Sequence, residues 1–321
     1  MNDLATFARA DVEILCEWYD VKVVSCQTMA EMFSAARAAM SASVLFCWFG
    51  SLRYLPAVLA ARLAGRPIVI VAGGYDVANV AEIGYGNMQG GPTTWFGRCL
   101  FRLATLVLPF SDMACSEART NARVPSSRLR TVPLGFDPGT LGATNTPVVK
   151  QPLLLAVAMM NPSSIERKGI TTLVRASHLV PEIRFVIAGR GDGETMTKLQ
   201  ADAAPNVEFP GYVDDAQLAE LYRHAMIYCQ PSLHEGFGCA VAEAMLFNCI
   251  PVVTARGSLP EVVGSTGVYV PYGDAEALAA AIKRVVAGTA LGGTTPRERI
   301  VTTFPLMKRA AALHQIIEEV I

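Results

Sequence analysis

The sequence predicts an α/β protein made of two tandem doubly wound, Rossmann-like domains that face a cleft. Short β-branched runs alternate from end to end with longer segments of helical period. In the second half these runs are nearly all apolar rather than alternating, as in strands that helices cover on both faces. A chain of 321 residues also suits two domains of ordinary size. We expect a ligand in the cleft, at the carboxyl ends of the strands.

The first predicted domain covers residues 1–140. It opens with an amphipathic helix near residues 4–18, whereas a doubly wound domain usually opens with a strand and a phosphate-sized turn. The usual first strand is therefore missing from the pattern. The strands that we predict in this domain are residues 21–25, 43–48, 67–72, 106–109 and 130–133.

A linker is predicted at residues 141–152, which are rich in Gly, Thr and Pro and show neither period. The second domain follows at residues 153–305, and we expect the last helix, residues 306–321, to pack back on the first domain. The strands predicted in the second domain are residues 153–158, 184–188, 206–209, 226–230, 250–253 and 267–270.

Composition excludes several classes of protein. With 52% hydrophobic and 17% charged residues, disorder and fibrous folds are excluded. The net charge of −1 provides no basic field for nucleic acid, and no apolar run reaches the roughly 20 residues of a spanning helix. Because charged residues interrupt the first segment, we expect no secretion signal and a cytoplasmic location. The eight cysteines and four histidines are scattered, so no metal site is predicted.

The segment 230–253, QPSLHEGFGCAVAEAMLFNCIPVV, has the pattern of an anion site. Glu235 follows a predicted strand, and Gly236 and Gly238 on either side of Phe237 leave room for a phosphate at the start of a helix. Glu243 lies just over one turn into that helix, where its carboxylate can bind the vicinal hydroxyls of a ribose. An isolated pair of glutamates at the E-x7-E spacing is more often exposed to solvent. Here the pair lies between two predicted strands, in an E-G-F-G loop and the helix that follows it, and this context favours a binding site.

A second motif, Arg167-Lys168-Gly169, follows a predicted strand and precedes a helix. Lys168 is the natural phosphate ligand and Arg167 adds a forked contact, although such a pair alone is usually a solvated surface feature. Arg190 lies in a G-x-G-x-G turn. That turn lacks the acidic residue about twenty positions later that a dinucleotide site needs, so we interpret it as a tight turn.

Together these motifs resemble family-4 glycosyltransferases of the GT-B fold, whose signature joins E-x7-E to G-x-P-V-V and a P-E loop. Here Cys249 stands at the usual glycine before Pro251-Val252-Val253, and Leu259-Pro260-Glu261 follows. The resemblance is strong over residues 153–290. It is looser in the first half, where Gly73-Gly74-Tyr75-Asp76 is similar to the family's G-x-D.

The resemblance implies transfer of a sugar from a nucleoside-diphosphate sugar to an acceptor hydroxyl with retention, in polysaccharide, glycolipid or glycan assembly. It implies a saccharide or lipid-linked acceptor, no nucleic acid and no cofactor, and the missing D-x-D argues against a metal requirement. The implied catalytic residues are Glu235, Lys168 and Arg167. The implied donor-binding residues are Gly236, Phe237, Gly238, Glu243, Val213 and Arg190. The implied acceptor-side residues are Gly74, Asp76 and Tyr85.

Two departures keep other functions open. The family usually has an arginine after the first strand of the second domain, and here that place reads Met159-Met160-Asn161. The histidine that many members have in the first domain is also absent, because the corresponding first-domain strand ends in Trp48-Phe49-Gly50. The alternatives are an epimerase or phosphorylase on the same fold, or a non-catalytic partner subunit that binds a nucleotide-sugar. In addition, residues 93–108 read either as an interfacial helix, hence peripheral membrane contact, or as a core helix running into a strand at Leu106.

Overall fold

A computed structural model describes residues 6–143, 148–289 and 293–321. The chain divides into two compact units, Met1–Gly135 with Leu306–Ile321 as unit 1 and Phe136–Pro305 as unit 2. The start of the predicted first helix, residues 4 and 5, and residues 144–147 of the predicted linker lie outside the described residues.

Unit 1 contains a parallel sheet in the order β1-β2-β3, with β2 completely buried. Its three strands confirm the predictions at residues 43–48, 67–72 and 106–109. The bounds are α1 Thr6–Cys16, α2 Met29–Ser41, β1 Leu45–Trp48, α3 Leu55–Leu63, β2 Ile68–Ala72, α4 Gly91–Leu103, β3 Leu106–Pro109 and α5 Asp112–Thr120.

Two predicted strands of unit 1 are wrong. Residues 21–25 include three valines, but they are exposed or half-buried and join no ladder among the described strands. Near residues 130–133, Leu129 forms an isolated bridge with Val107, and the amide of Val132 donates to Pro109 O at 2.8 Å. Pro133 then has no amide with which to continue. β-Propensity alone does not make a strand, because a strand needs a neighbour along its whole length. Residues 21–25 have none among the described strands, and the pairing of residues 129–132 with β3 does not extend beyond Val132.

The segment 93–108 behaves as a core helix that runs into a strand. α4 ends at Leu103 and β3 begins at Leu106. Leu100 and Phe101 are fully buried, whereas Trp95 and Phe96 are 62% and 39% exposed. The exposed side chains that an interfacial helix would use are therefore limited to Trp95 and Phe96, in the second turn of α4.

The last helix, α14 at Leu306–Val320, belongs to unit 1 and is held there by a buried ion pair. Arg309 Nε and Nη2 each lie 2.6 Å from a carboxylate oxygen of Asp11 on α1. Arg309 Nη1 also donates to the carbonyls of Val132 and Pro133, at 2.8 and 3.0 Å. Burial raises the pKa of Asp11, although Arg309 opposes that shift. One guanidinium thus joins three segments of the unit.

Unit 2 contains a parallel sheet in the order β6-β5-β4-β7-β8-β9. All six predicted strands are confirmed within two residues of their predicted ends. The bounds are β4 Gln151–Val157, α6 Pro162–Arg167, α7 Ile170–Ser177, β5 Arg184–Ala188, α8 Gly193–Asp202, β6 Val207–Gly211, α9 Asp215–His224, β7 Ala225–Gln230, α10 Cys239–Leu246, β8 Ile250–Thr254, α11 Leu259–Val263, β9 Val268–Val270, α12 Ala275–Val286 and α13 Pro296–Thr303.

The strand order of unit 2 changes direction at its centre. After β4 the chain adds β5 and β6 on one side, and it then returns to place β7, β8 and β9 on the other. β4 and β7 are therefore neighbours, and the loops that follow them leave the same edge of the sheet. Open α/β sheets bind ligands at such a switch point.

Candidate functional site

The loop after β7 is clamped to the loop after α6. The amide of Leu233 donates to Arg167 O at 2.8 Å. Gly169 has a φ of +69°, and a Cβ there would lie 2.2 Å from the carbonyl oxygen of Pro231. Only glycine allows this approach, which places the Arg167-Lys168 pair beside Glu235.

The same loop is clamped from its other side by residues that precede α11. The amide and the hydroxyl of Ser258 each donate to Glu235 O at 3.0 Å. A Cβ at Gly257 would lie 2.5 Å from that oxygen. Neither Gly257 nor Ser258 was predicted from the sequence, although Ser258 directly precedes the Leu259-Pro260-Glu261 motif. The loop that carries Glu235 is thus held from two neighbouring segments, at Leu233 and at Glu235 itself.

An ionic cluster surrounds the Glu235 side chain. Lys168 Nζ lies 2.6 Å from Glu235 Oε1, Arg167 Nη1 lies 3.1 Å from it, and Ser232 Oγ donates to it at 3.2 Å. Burial favours a higher pKa for Glu235, but Lys168 and Arg167 outweigh it and hold the pKa below its ordinary value. The carboxylate is ionised at neutral pH, so two cations and one anion leave a net positive charge.

The Gly236–Gly238 segment leads into α10. Gly238 has a φ of +94° and precedes the helix, whose amino end carries partial positive charge. Phe237 is buried, with its ring centroid 5.8 Å from that of Phe136 and 5.4 Å from that of Phe304. Its side chain is therefore part of the core, and only its backbone is available to a donor.

Glu243 on α10 is held by a tyrosine that the sequence analysis did not identify. Tyr222 Oη donates to Glu243 Oε2 at 3.2 Å. The carbonyl of Tyr222 accepts from Lys150 Nζ at 2.9 Å and from Cys249 Sγ at 3.0 Å. Burial raises the pKa of Glu243, with Tyr222 opposing the shift and Asp215 adding to it. Cys249, at the position where the family usually has glycine, thus binds the backbone of Tyr222, the residue that holds Glu243. No motif in the sequence predicted this arrangement.

Arg190 and Val213 follow β5 and β6. Arg190 is exposed, with its guanidinium 4.6 Å from the centroid of the Tyr212 ring. Val213 is half-buried. A Cβ at Gly189 would lie 1.8 Å from Ala158 O, so the turn at Arg190 requires glycine for close packing. This agrees with our interpretation of the G-x-G-x-G segment as a tight turn.

The three acceptor-side candidates lie in unit 1. Asp76 is 4% exposed and accepts hydrogen bonds from the amides of Gly50, Gly73 and Gly74 at 3.0, 3.2 and 2.9 Å. Burial raises its pKa, and the amides oppose the shift. The carboxylate thus bridges the ends of β1 and β2. Tyr85 is half-buried, with its ring edge-on to that of an exposed tyrosine, Tyr75, at 5.1 Å.

No group of three His, Cys, Asp or Glu side chains in residues 6–143, 148–289 and 293–321 is arranged to hold a metal ion. Within the same ranges, every helix is too short or too polar to cross a bilayer.

Residues 151–287 match the family model described as Glycosyl transferases group 1. This part of the chain, about two fifths of its length, is therefore similar to that family. The group 1 segment contains β4 through α12, and with them the Glu235 cluster, Glu243 and Arg190.

Several curated relatives are mannosyltransferases. The phosphatidyl-myo-inositol mannosyltransferase of Mycolicibacterium smegmatis is 37% identical over 36% of this chain and 32% of its own length. That of Mycobacterium leprae is 28% identical over 70% of this chain and 59% of its own length. The O-antigen chain mannosyltransferase B of Escherichia coli is 32% identical over 56% of this chain and 51% of its own length. The matches span between about a third and three fifths of these relatives.

Solved structures show the same fold over nearly the whole chain. Anabaena HepE, crystallised with UDP and glucose, has a TM-score of 0.74 and 16% identity over 96% of this chain and 89% of its own. A glycosyltransferase from Rickettsia africae has a TM-score of 0.71 and 14% identity over 96% of this chain and 87% of its own. The predicted GT-B fold, with two α/β units, is confirmed.

Proposed function

We propose that this protein is a glycosyltransferase that uses a nucleoside-diphosphate sugar and transfers the sugar to an acceptor hydroxyl with retention. The observation that carries the proposal is the convergence of Lys168 and Arg167 on Glu235 at the β4–β7 switch point, next to the amino end of α10. The net positive charge of this cluster and the glycines beside it fit a diphosphate, and the match to the group 1 family model supports the same chemistry.

Each group has a role in this proposal. Lys168 and Arg167 bind the diphosphate and stabilise the charge that develops on the leaving group. Glu235 is released from these cations toward the hydroxyls of the donor sugar when the diphosphate takes its place. Glu243, held by Tyr222, binds the ribose. Asp76 acts on the acceptor side through the loop ends that it joins rather than by direct contact.

Retention follows, in this proposal, from a front-face path in which the departing phosphate accepts the proton of the acceptor. The protein then chiefly positions groups and stabilises charge, and no histidine is needed. The test is the anomeric configuration of the product by NMR: the same configuration as in the donor supports retention, and the opposite one contradicts it.

The names of the relatives favour a mannosyl group and a glycolipid or polysaccharide acceptor. A thermal-shift panel of UDP, GDP and ADP with their sugars identifies the base. Incubation of the purified chain with labelled GDP-mannose and UDP-sugars then tests the activity. Transfer or hydrolysis of the label supports an enzyme. Binding without turnover favours the non-catalytic partner, and conversion without an acceptor favours an epimerase. A cytoplasmic location, with peripheral contact to the inner membrane face for a lipid-linked acceptor, stays a prediction.

Substitution of the two glutamates separates binding from turnover. Glu243→Ala is expected to weaken donor binding, because ribose contacts persist unchanged into the transition state. Glu235→Ala is expected chiefly to slow turnover, because contacts at the reacting sugar strengthen there. Steady-state kinetics measure both, with Glu208→Ala, an exposed glutamate paired with Arg184, as the control. Changes below about threefold in both constants, under ~0.7 kcal/mol, contradict the assignment.

Metal removal gives a further expected result. Since Lys168 and Arg167 supply the positive charge at the diphosphate, activity is expected to persist in EDTA. Rates measured after chelation, and again after magnesium is returned, provide the comparison. Strict dependence on added magnesium contradicts a metal-free mechanism.

A further inference from the structure

Unit 2 contains a cavity away from the Glu235 cluster, lined by side chains of α7 and α8 and bordered by α6. We call this cavity the α7–α8 groove, and its volume is about 590 Å³. Cavities that hold small molecules range from roughly 300 to 1,000 Å³, so this one has room for a single small ligand. Its lining includes no residue of the Glu235 cluster. The groove is therefore a different place from the site already described.

The floor of the groove is apolar and its rim is polar. Val174 on α7 and Leu199 on α8 form the floor and are 2% and 5% exposed. Arg175, His178 and Asp202 line the rim and are exposed. An apolar floor with a few polar groups at the edge is typical of a site that covers the carbon face of a small ligand and binds its polar groups.

One end of the groove offers hydrogen-bond acceptors. His178 Nε2 lies 2.9 Å from the carbonyl oxygen of Asp202, which joins the end of α7 to the end of α8. Because a carbonyl oxygen only accepts, Nε2 carries the hydrogen, and Nδ1 of the neutral imidazole is left as an acceptor. The carboxylate of Asp202 is a second acceptor at this end. Such a pair binds hydroxyl groups.

Arg175 supplies a positive charge nearer the other end. Its guanidinium has no hydrogen bond or ion pair with the residues that the structure describes. Lys198, the other cation of the rim, is paired with Glu194 at 2.7 Å. A guanidinium binds phosphate through two parallel hydrogen bonds, and the hydroxyl of Thr171, one turn earlier on the same face of α7, lies beside it.

The spacing of these groups sets the size of the ligand. From Thr171 to His178 the chain advances seven residues, which is about 10 Å of helix. A phosphate at one end of that length and hydroxyl groups at the other describe a monosaccharide with one phosphate. Inorganic phosphate leaves the acceptors and the apolar floor unused, and an uncharged sugar leaves Arg175 unused.

We infer that the α7–α8 groove binds a hexose phosphate, with the phosphate at Arg175 and the sugar hydroxyls at His178 and Asp202. The carbon face of the sugar lies over the apolar floor. This inference rests on the groove alone and does not depend on the proposed activity.

Isothermal titration calorimetry of the full chain tests the inference. The probes are the 1-phosphates and 6-phosphates of mannose and glucose, with inorganic phosphate and mannose as partial ligands. Arg175→Gln removes the charge, and Thr171→Trp fills the groove from an exposed position. Arg284→Gln, the same change at an exposed arginine of α12, is the matched control. Circular dichroism checks that every variant is folded.

At least one hexose phosphate is expected to bind the wild type and the control equally, and both groove variants at least about tenfold more weakly. Both partial ligands are expected to bind the wild type at least about tenfold more weakly than that hexose phosphate. No binding of any hexose phosphate, or wild-type affinity in either groove variant, overturns the inference. Inorganic phosphate that binds as tightly as a hexose phosphate overturns the inferred ligand.

A further variant separates the groove from the other cationic site. If Lys168→Ala loses the hexose phosphate while Arg175→Gln retains it, the ligand belongs to the Glu235 cluster and the inference is overturned. Each result is a binding constant measured without catalysis, so it stands apart from the test of the proposed function.

Discussion

Lys168→Ala is expected to lower turnover about a hundredfold or more at saturating donor. The ammonium lies 2.6 Å from Glu235 Oε1, in a cluster whose net positive charge depends on it. Without Lys168, Arg167 and Glu235 balance each other, so no net charge is left for the leaving diphosphate. Initial rates across donor concentrations measure the loss.

Two further variants make this result specific. Lys168→Arg is expected to recover only part of the activity, because a rigid fork replaces a point charge on a flexible side chain. Lys198→Ala removes an exposed lysine that pairs with Glu194 on α8, and it should leave turnover unchanged. Wild-type turnover in Lys168→Ala rejects the role of this residue in catalysis.

Asp11→Ala is expected to destabilise unit 1 by about 3–5 kcal/mol, because it leaves a buried guanidinium without its counter-ion. Asp11 and Arg309 are 1% and 3% exposed, so water cannot replace the carboxylate. All three tryptophans, Trp18, Trp48 and Trp95, lie in unit 1. Urea unfolding followed by tryptophan fluorescence therefore reports on this unit.

The double variant Asp11→Leu/Arg309→Met is the control for this result. Replacing both partners by apolar side chains leaves no unpaired charge, so its stability is expected to lie closer to the wild type than that of Asp11→Ala. If the free energy of unfolding of Asp11→Ala lies within about 1 kcal/mol of the wild-type value, the stabilising role of the pair is contradicted.

Much of the fold was readable from the residues. In unit 2 the inner strands β5, β4, β7 and β8 are mostly buried on both faces and are nearly continuous apolar runs, so they were predictable from the sequence. The edge strands β6 and β9 alternate in burial and were predicted as well. In unit 1 the same reasoning failed at residues 21–25 and 130–133. Those segments have β-propensity, but pairing depends on which neighbour the fold supplies, and local pattern does not contain that information.

The site divides in a similar way. E-x7-E and Arg167-Lys168-Gly169 were recognisable because glycines and charged residues at strand ends form a local pattern. Their association was not, since Lys168 and Glu235 are 67 residues apart and meet only because β4 and β7 are neighbours in the sheet. Tyr222 was missed for the same reason: its hydroxyl reaches Glu243 from another helix.

Burial is the property that residue type alone could not supply. Asp76 reads as an acceptor-side carboxylate, yet it accepts three backbone amides and is 4% exposed. Phe237 lies inside the donor motif, yet its ring packs in the core of unit 2. Residue types and spacing decided which chemistry is present and on which strand ends. Whether a given side chain faces a ligand, a backbone amide or the core depends on contacts between distant segments, and these exist only once the chain has folded.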